Sequence, residues 1–175
     1  MEFRSKNRDS RFKIRYSRKT FGFTLIELLV VVALIGILAT LVMANLNAAR
    51  GRSRDAQRKS DLRNLETALR LYYNDRGAYP ANNSGGQIIA CNSYTAPVAC
   101  SWGDEWSVGT TVYMSKLVKD PLPDQNYSYS QDPTNDTFTT IACLENKSDD
   151  KCDKDAGGAV ITCAGGSGCQ YSIKP

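Results

Sequence analysis

The chain has 175 residues, which allows one modest domain with an accessory element and excludes two large globular domains. The formal charge of +4 is unevenly placed, because residues 1–22 carry +6 and residues 23–175 carry −2. The basic balance belongs to the N-terminal segment, so it gives no argument that the rest of the chain binds nucleic acid.

An apolar segment follows this basic leader. Between Lys19 and Arg50 the only charged side chain is Glu27, and Leu28 to Leu46 is almost wholly apolar. As an α-helix, Phe23 to Asn45 would span about 33 Å, which matches the hydrocarbon core of a bilayer. A cleavable secretory signal would have a shorter apolar region before a small-x-small site. A membrane-spanning helix is therefore the better interpretation.

The helix is predicted to continue beyond the membrane. Apolar side chains recur at three- and four-residue spacing among charged residues, which indicates an amphipathic helix. They are Leu62, Leu65, Ala68, Leu69 and Tyr72. Gly77 and Pro80 supply a stop. If Gly51 does not interrupt it, one helix runs from about Phe23 to Asp75, on the order of 80 Å.

From Ala78 onward, short apolar runs alternate with turn residues, which is typical of β-strands. The predicted strands are Tyr127–Ser130, Thr137–Leu144, Ala159–Cys163 and Tyr171–Ile173. A short helix is considered for Val112 to Val118. The predicted fold is α+β, with a long N-terminal helix, half of it transmembrane, packed on a small antiparallel β-sheet head with disulfides.

All six cysteines fall in the last 85 residues, and this even count favours disulfides made in an oxidising compartment. They are Cys91, Cys100, Cys143, Cys152, Cys163 and Cys169. A zinc site is less favoured because the chain has no CxxC pair and no His. Six cysteines allow fifteen pairings. Local closure favours Cys91 with Cys100, and the pairing of the other four cysteines stays open.

The junction of the leader and the apolar helix reads Gly22-Phe23-Thr24-Leu25-Ile26-Glu27. With its flanks, it resembles the prepilin class of type IV pilins and type II secretion pseudopilins over residues 22 to about 80. The resemblance implies a type IV pilin-like fold. It also implies that a prepilin peptidase cuts after Gly22 and methylates the amine of Phe23, and that Glu27 acts in assembly.

The resulting organisation has four parts. A cleaved leader spans 1–22, a transmembrane and polymerisation helix 23–49, its amphipathic extension 50–77, and an extracytoplasmic β-rich head 78–175. The resemblance implies that such a chain starts as a single-pass protein of the cytoplasmic membrane. It also implies that pilus or secretion machinery then assembles the chain into a homo-oligomeric filament outside the cytoplasm.

Glu27 makes physical sense within this scheme. A carboxylate in an apolar helix costs a few kcal/mol unless it is paired. Cleavage creates a partner, the amine of Phe23, on the same helix or on a neighbouring subunit. At about 4 Å the attraction is roughly 4 kcal/mol before desolvation, so the pair would set axial register more than net stability. The alternative is an ordinary single-pass anchor with an accidental glutamate.

Two features leave alternatives open. The family that the motif resembles usually carries a proline at the position of Ala44, so the resemblance does not extend to filament properties that depend on a kinked or melted stretch. Six basic residues also follow the apolar run, either as a solvated helix face or as a surface for acidic groups or DNA within a filament. They are Arg50, Arg52, Arg54, Arg58, Lys59 and Arg63. The basic leader favours a cytoplasmic N-terminus only weakly, because these six basic residues lie at the other end of the apolar run. The disulfides favour a head domain outside the cytoplasm.

The head resembles the major pseudopilin of type II secretion more patchily, in Tyr72 to Pro80, Asp120 to Asp124 and Tyr127 to Tyr129. The tyrosines are expected in the core. The resemblance implies a calcium-binding loop, with an acidic cluster as its candidate. The cluster comprises Asp149, Asp150, Asp153, Asp155 and Gly157. The EF-hand spacing and closing glutamate are missing, so a solvated acidic loop without a cofactor is preferred.

The resulting prediction is a structural subunit of a type IV pilus or related filament. One alternative is a major pseudopilin of a type II secretion system, and another is a membrane-tethered binding module such as a minor pilin or adhesin. An enzyme is not expected, because the chain has no His, no Gly-rich phosphate loop and no nucleophile beside a base.

Overall fold

A single helix, α1, runs from Leu25 to Arg76 in the computed structural model, which describes residues 22–163 and 168–175. Except for Gly22, the predicted leader lies outside these residues. Gly51 does not interrupt α1, and neither does Ala44. The helix ends at Gly77, whose φ of 73° and N–H bond to the Tyr73 carbonyl, 2.7 Å, form a C-terminal cap.

α1 passes through two structural units that divide after Val42. In the first unit, the large apolar side chains from Leu25 to Val42 are between 47% and 81% exposed. An 18-residue window of α1 has a mean hydropathy of 2.9, so the helix is long and apolar enough to cross a membrane.

In the second unit, one face of α1 packs against the head. Leu62, Leu65 and Leu69 are fully buried, and Ala68 lies beside them. These are the residues whose spacing predicted the amphipathic helix, and Tyr72 is partly buried against the same core. The head contributes aromatic and aliphatic side chains to this core. They include Trp106, Leu117, Tyr127, Tyr129, Phe138 and Leu144.

The head contains three small antiparallel sheets. The first has the order β1 (Ala81–Asn82), β2 (Ile88–Cys91), β3 (Val98–Ala99). The second pairs β4 (Trp106–Val108) with β5 (Thr111–Met114). The third has the order β6 (Ser128–Asp132), β7 (Thr137–Leu144), β8 (Cys169–Ile173). Every second residue of β7 is buried, so one face of this sheet covers the core.

Two predicted elements were wrong. The start of the stretch considered as a short helix is strand β5, because Gly109 turns the chain with a φ of 62° and Val112 then pairs with Ser107. Residues 159–163 form no strand among the described residues. They make isolated bridges at Val160 and Thr162, and the strand beside β7 is β8.

The six cysteines form three disulfides, and none is free. Cys91 pairs with Cys100, the pairing that local closure favours. The other pairs are Cys143 with Cys163 and Cys152 with Cys169. These two tie the loop between β7 and β8 to both strands. In this state no cysteine thiolate is free to bind zinc.

Peptide mapping of the unreduced protein tests these pairings. We expect three linked peptides with the pairs given above. The double substitution C152A/C169A should lower the free energy of unfolding by about 2–4 kcal/mol, because the loop between β7 and β8 loses one closure. A peptide that links Cys163 to Cys169 would contradict the pairing.

Candidate assembly site and the arginine cluster

The N-terminal end of α1 is closed by a reciprocal pair of side chains. The Thr24 N–H and hydroxyl donate to Glu27 Oε2 at 2.8 and 2.7 Å, and the Glu27 N–H donates to Thr24 Oγ1 at 3.3 Å. This is a capping box, in which a threonine and a glutamate three residues later satisfy each other's free backbone N–H groups. The carboxylate that the sequence marked as isolated therefore has a partner within its own helix.

The capping box leaves part of the carboxylate available. Glu27 Oε1 makes no hydrogen bond within the described residues, whereas Oε2 accepts two. Phe23 precedes the box and is 84% exposed. The structure therefore brings Gly22, Phe23 and Glu27 together at one helix end, with one oxygen unused. Sequence reasoning missed Thr24, although the T-x-x-E spacing was visible.

A second polar centre lies where α1 meets the head, and sequence reasoning missed it. Arg58 is fully buried and uses all five of its N–H donors. Its Nε and Nη2 donate to the two oxygens of Asp120 at 2.7 and 2.9 Å. Its Nη1 donates to Asp55 Oδ1 at 2.8 Å and Glu145 Oε1 at 3.0 Å, and its Nη2 also to Gln125 at 3.4 Å.

The surrounding groups extend this centre. Arg54 donates to both oxygens of Glu145, each at 2.6 Å. Asp55 accepts the backbone N–H groups of Glu145 and Asn146, each at 2.9 Å. We call Arg54, Asp55, Arg58, Asp120 and Glu145 the arginine cluster. It joins one turn of α1 to the segment before β6 and to the segment after β7.

The cluster specifies position more than it adds net stability. Taking a guanidinium and carboxylates out of water offsets most of their attraction, whereas leaving one partner unpaired costs several kcal/mol. Because Arg58 has no unused donor, a shift of the helix along the head would leave buried charges without partners. The two hydrogen bonds from Arg54, together with the one from Arg58, lower the pKa of Glu145 to about 2.

Both interpretations of the six basic residues were wrong for half of them. Arg54 and Arg58 belong to the arginine cluster, and the Nζ of Lys59 lies 2.6 Å from both oxygens of Asp149. These three cations pair with the chain's own head. Arg50, Arg52 and Arg63 are exposed, and within the described residues they make no ion pair.

The tyrosines were correctly predicted as core residues. Tyr127 and Tyr129 are at most 1% exposed. The Tyr127 hydroxyl donates to Asp61 at 2.8 Å, and the Tyr129 hydroxyl donates to the Pro80 carbonyl at 2.6 Å. Both phenols anchor the head to α1 or to the chain just after it.

The acidic loop does not assemble around one point. Asp149 pairs with Lys59, and Asp155 accepts the N–H groups of Gly157 and Ala159, each at 2.9 Å. Among residues 22–163 and 168–175, no three acidic or cysteine side chains form a group that could hold a metal ion. The solvated acidic loop without a cofactor, which the sequence favours over a calcium site, stays a prediction.

An exposed apolar helix with a lone glutamate in its first turn, followed by a disulfide-bonded β head, defines a structural filament subunit of the pilin class. Comparison with known families agrees. Residues 17–43 match the prokaryotic N-terminal methylation motif, and residues 45–157 match the family model of type II secretion system protein G. The chain belongs to the type II secretion system protein G family.

The individual relatives include both type II secretion core proteins and a type IV pilin. The chain is 33% identical over 108 residues to the type II secretion system core protein G of Escherichia coli, covering 62% of this chain and 70% of the relative. The type II secretion system core protein G of Pseudomonas aeruginosa is 29% identical over 139 residues, which cover 79% of this chain and 93% of the relative. The type IV major pilin PilA of Myxococcus xanthus is 36% identical over 92 residues, which cover 51% of this chain and 42% of the relative. No solved structure matched the chain.

Substitution of Arg58 tests the arginine cluster. Arg58→Ala should lower the free energy of unfolding by about 3–5 kcal/mol, because Asp120 and Asp55 lose their buried counter-charge. Arg63→Ala is the matched control on the exposed part of α1 and should change it by less than about 0.5 kcal/mol. Denaturant unfolding measures both. Equal effects of the two substitutions would contradict a buried, fully bonded Arg58.

Acid titration tests the role of Glu145. Its pKa is lowered in the folded state, from an ordinary value of 4.5 to about 2. Its contribution is therefore present above pH 4.5 and is lost as the pH falls toward 2. Glu145→Gln should reduce the loss of unfolding free energy across that interval.

The control for this titration is Asp150→Asn, since Asp150 is 81% exposed. An unchanged slope in Glu145→Gln, matching that of the control, would show that the pairing with Arg54 and Arg58 does not stabilise the fold.

Proposed function

We propose that the chain is cut between Gly22 and Phe23, is methylated on the amine of Phe23, and is assembled from the cytoplasmic membrane into a homo-oligomeric extracytoplasmic filament. The observation that carries the proposal is the exposed apolar part of α1, Leu25 to Leu46, with Glu27 as its single charge. A prepilin peptidase and an assembly motor are the partners that this route needs.

The apolar side chains explain how one helix serves two environments. In the membrane these side chains contact the hydrocarbon of the lipid, and helices there associate by close packing and not by exclusion of water. In a filament outside the membrane, burying each large side chain against neighbours contributes about 1.5–3 kcal/mol relative to leaving it in water. The same surface therefore holds the chain in the membrane first and joins subunits later.

Glu27 is proposed to set the axial position of each new subunit. Oε2 is held in the capping box with Thr24, which fixes the direction of the carboxylate. Oε1 is then free to accept a hydrogen bond from the Phe23 amine of an adjacent copy. In the apolar surroundings such a charge-assisted bond is short and strong, and a shift along the axis would leave both charges unpaired.

Replacing Glu27 separates processing from assembly. Glu27→Gln keeps the shape of the side chain but removes its charge, so we expect a processed chain that forms few or no filaments. Glu66→Gln, a carboxylate lost from the amphipathic part of α1, should assemble normally. Intact mass and sedimentation of sheared filaments measure the two steps. Normal filaments of Glu27→Gln would overturn the role of the charge.

A second candidate is a subunit of a type II secretion pseudopilus, and the match of residues 45–157 to the protein G family favours it. The pilin relative from Myxococcus xanthus favours a surface pilus over a shorter part of the chain. Deletion of the gene separates the two. Loss of long surface filaments with normal secretion supports a pilus, whereas loss of secreted enzymes without loss of filaments supports a pseudopilus.

A further inference from the structure

Two arginines follow directly on the apolar part of α1. The apolar run ends at Leu46, and Arg50 and Arg52 follow four and six residues later, about 6 and 9 Å further along the helix axis. Phospholipid headgroups occupy the first several ångströms beyond the hydrocarbon core on each side of a bilayer. For a chain that spans the membrane through this helix, as proposed above, both guanidinium groups are at headgroup level.

These arginines differ from the next basic residues in α1. Arg54 and Arg58 are bonded to Glu145 and Asp120, whereas Arg50 and Arg52 are exposed and have no ion pair in the part of the chain that the structure describes. Two unpaired cations at headgroup level attract anionic lipid, and long side chains can reach the phosphate plane.

A small cavity of about 250 Å³ lies beside Arg52, in the second structural unit. Its walls come from α1 and from the segment after β7. The lining residues are Asn47, Ala48, Gly51, Arg52, Glu145 and Asn146. A Cβ on Gly51 would lie 3.4 Å from Glu145 Oε2, so the absence of a side chain at this position leaves room for the cavity.

The polar groups of the cavity suit a phosphate. Asn146 Oδ1 accepts from the Ser148 N–H, which leaves its amide N–H groups as donors, and Asn47 offers a second amide. Glu145 is the one carboxylate in the lining, and it opposes an anion. Both of its oxygens accept from Arg54 at 2.6 Å, and Arg58 adds a third bond at 3.0 Å, so its charge is compensated within the arginine cluster.

We propose that the phosphate of an anionic phospholipid at the outer face of the membrane binds Arg52 and the amides of Asn47 and Asn146. Arg50, which lies two residues earlier and so on another face of the helix, adds a second cation at headgroup level. The inference rests on the membrane-spanning step of the proposed function. The position of the two arginines next to the apolar run favours lipid over an acidic protein. Extraction of a subunit into a filament must then break these contacts, so anionic lipid resists extraction.

Lipid selection by the purified full-length chain tests this site. The chain is reconstituted in nanodiscs with equal amounts of phosphatidylglycerol and phosphatidylcholine, and the lipids that it retains are counted by native mass spectrometry. The wild type should retain phosphatidylglycerol in at least about fivefold excess over phosphatidylcholine. R50Q/R52Q should lose that preference. R63Q/K116Q removes the same charge from exposed positions outside the site and should keep it.

Three outcomes would overturn the site. These are equal retention of the two lipids by the wild type, an unchanged preference in R50Q/R52Q, and loss of preference in R63Q/K116Q. In a second experiment, inorganic phosphate is titrated into the chain in neutral detergent without lipid, and the arginine side-chain N–H signals are followed by NMR. Saturable binding that R50Q/R52Q abolishes would make free phosphate the ligand instead of lipid.

Membrane insertion is measured separately by flotation of carbonate-washed vesicles. A chain that floats but shows no lipid preference removes this inference and leaves the proposed function standing. A chain that does not float removes both.

Discussion

The apolar half of α1 has no covering surface within the described chain, and this constraint governs the rest of the structure. From Leu25 to Val42 every large apolar side chain is roughly half exposed or more. Such a surface is stable only in lipid or against other protein surfaces of the same kind. The lone carboxylate of Glu27 accepts two hydrogen bonds from Thr24 at Oε2, and within the described residues its Oε1 accepts none. In the proposed filament, this second oxygen would bind a neighbouring subunit.

The other half of α1 holds the head domain in a fixed position on the helix. The leucine face of the helix packs against the head, and apolar packing is non-directional, so by itself it fixes the position of the helix along the head only loosely. The arginine cluster fixes that position. The five donors of Arg58 meet acceptors from three segments of the chain, and a displaced helix would leave buried charges unpaired. Two disulfides, Cys143–Cys163 and Cys152–Cys169, hold the loop after β7, which begins with the acceptor Glu145.

The sequence predicted the parts of the fold that depend on periodicity. The bounds of α1 followed from the apolar run, from Leu62, Leu65 and Leu69, and from the stop at Gly77. Strand β7 was predicted with its bounds because eight residues are long enough to show alternation. Strands β1 to β4 have two to four residues each, which is too short for any period. β5 was misread because its apolar residues also suit a short helix.

The polar centres were harder to predict, for a physical reason. A charged residue in an amphipathic pattern is normally solvated, and nothing local distinguished Arg58 from Arg63. The difference lies in Asp120 and Glu145, 62 and 87 residues away, which tertiary packing brings to one side of the helix. Thr24 is the opposite case, since its partner is three residues away and the capping pattern was present in the motif.

High-resolution imaging of the assembled filament measures most directly whether the apolar helix exchanges lipid for neighbouring subunits around Glu27. The account predicts that residues 25–46 are buried among the helices of adjacent copies, with the carboxylate of Glu27 within about 4 Å of the Phe23 nitrogen of a neighbour. A filament held together by contacts between heads, with this part of the helix exposed or with Glu27 far from any amine, would contradict it.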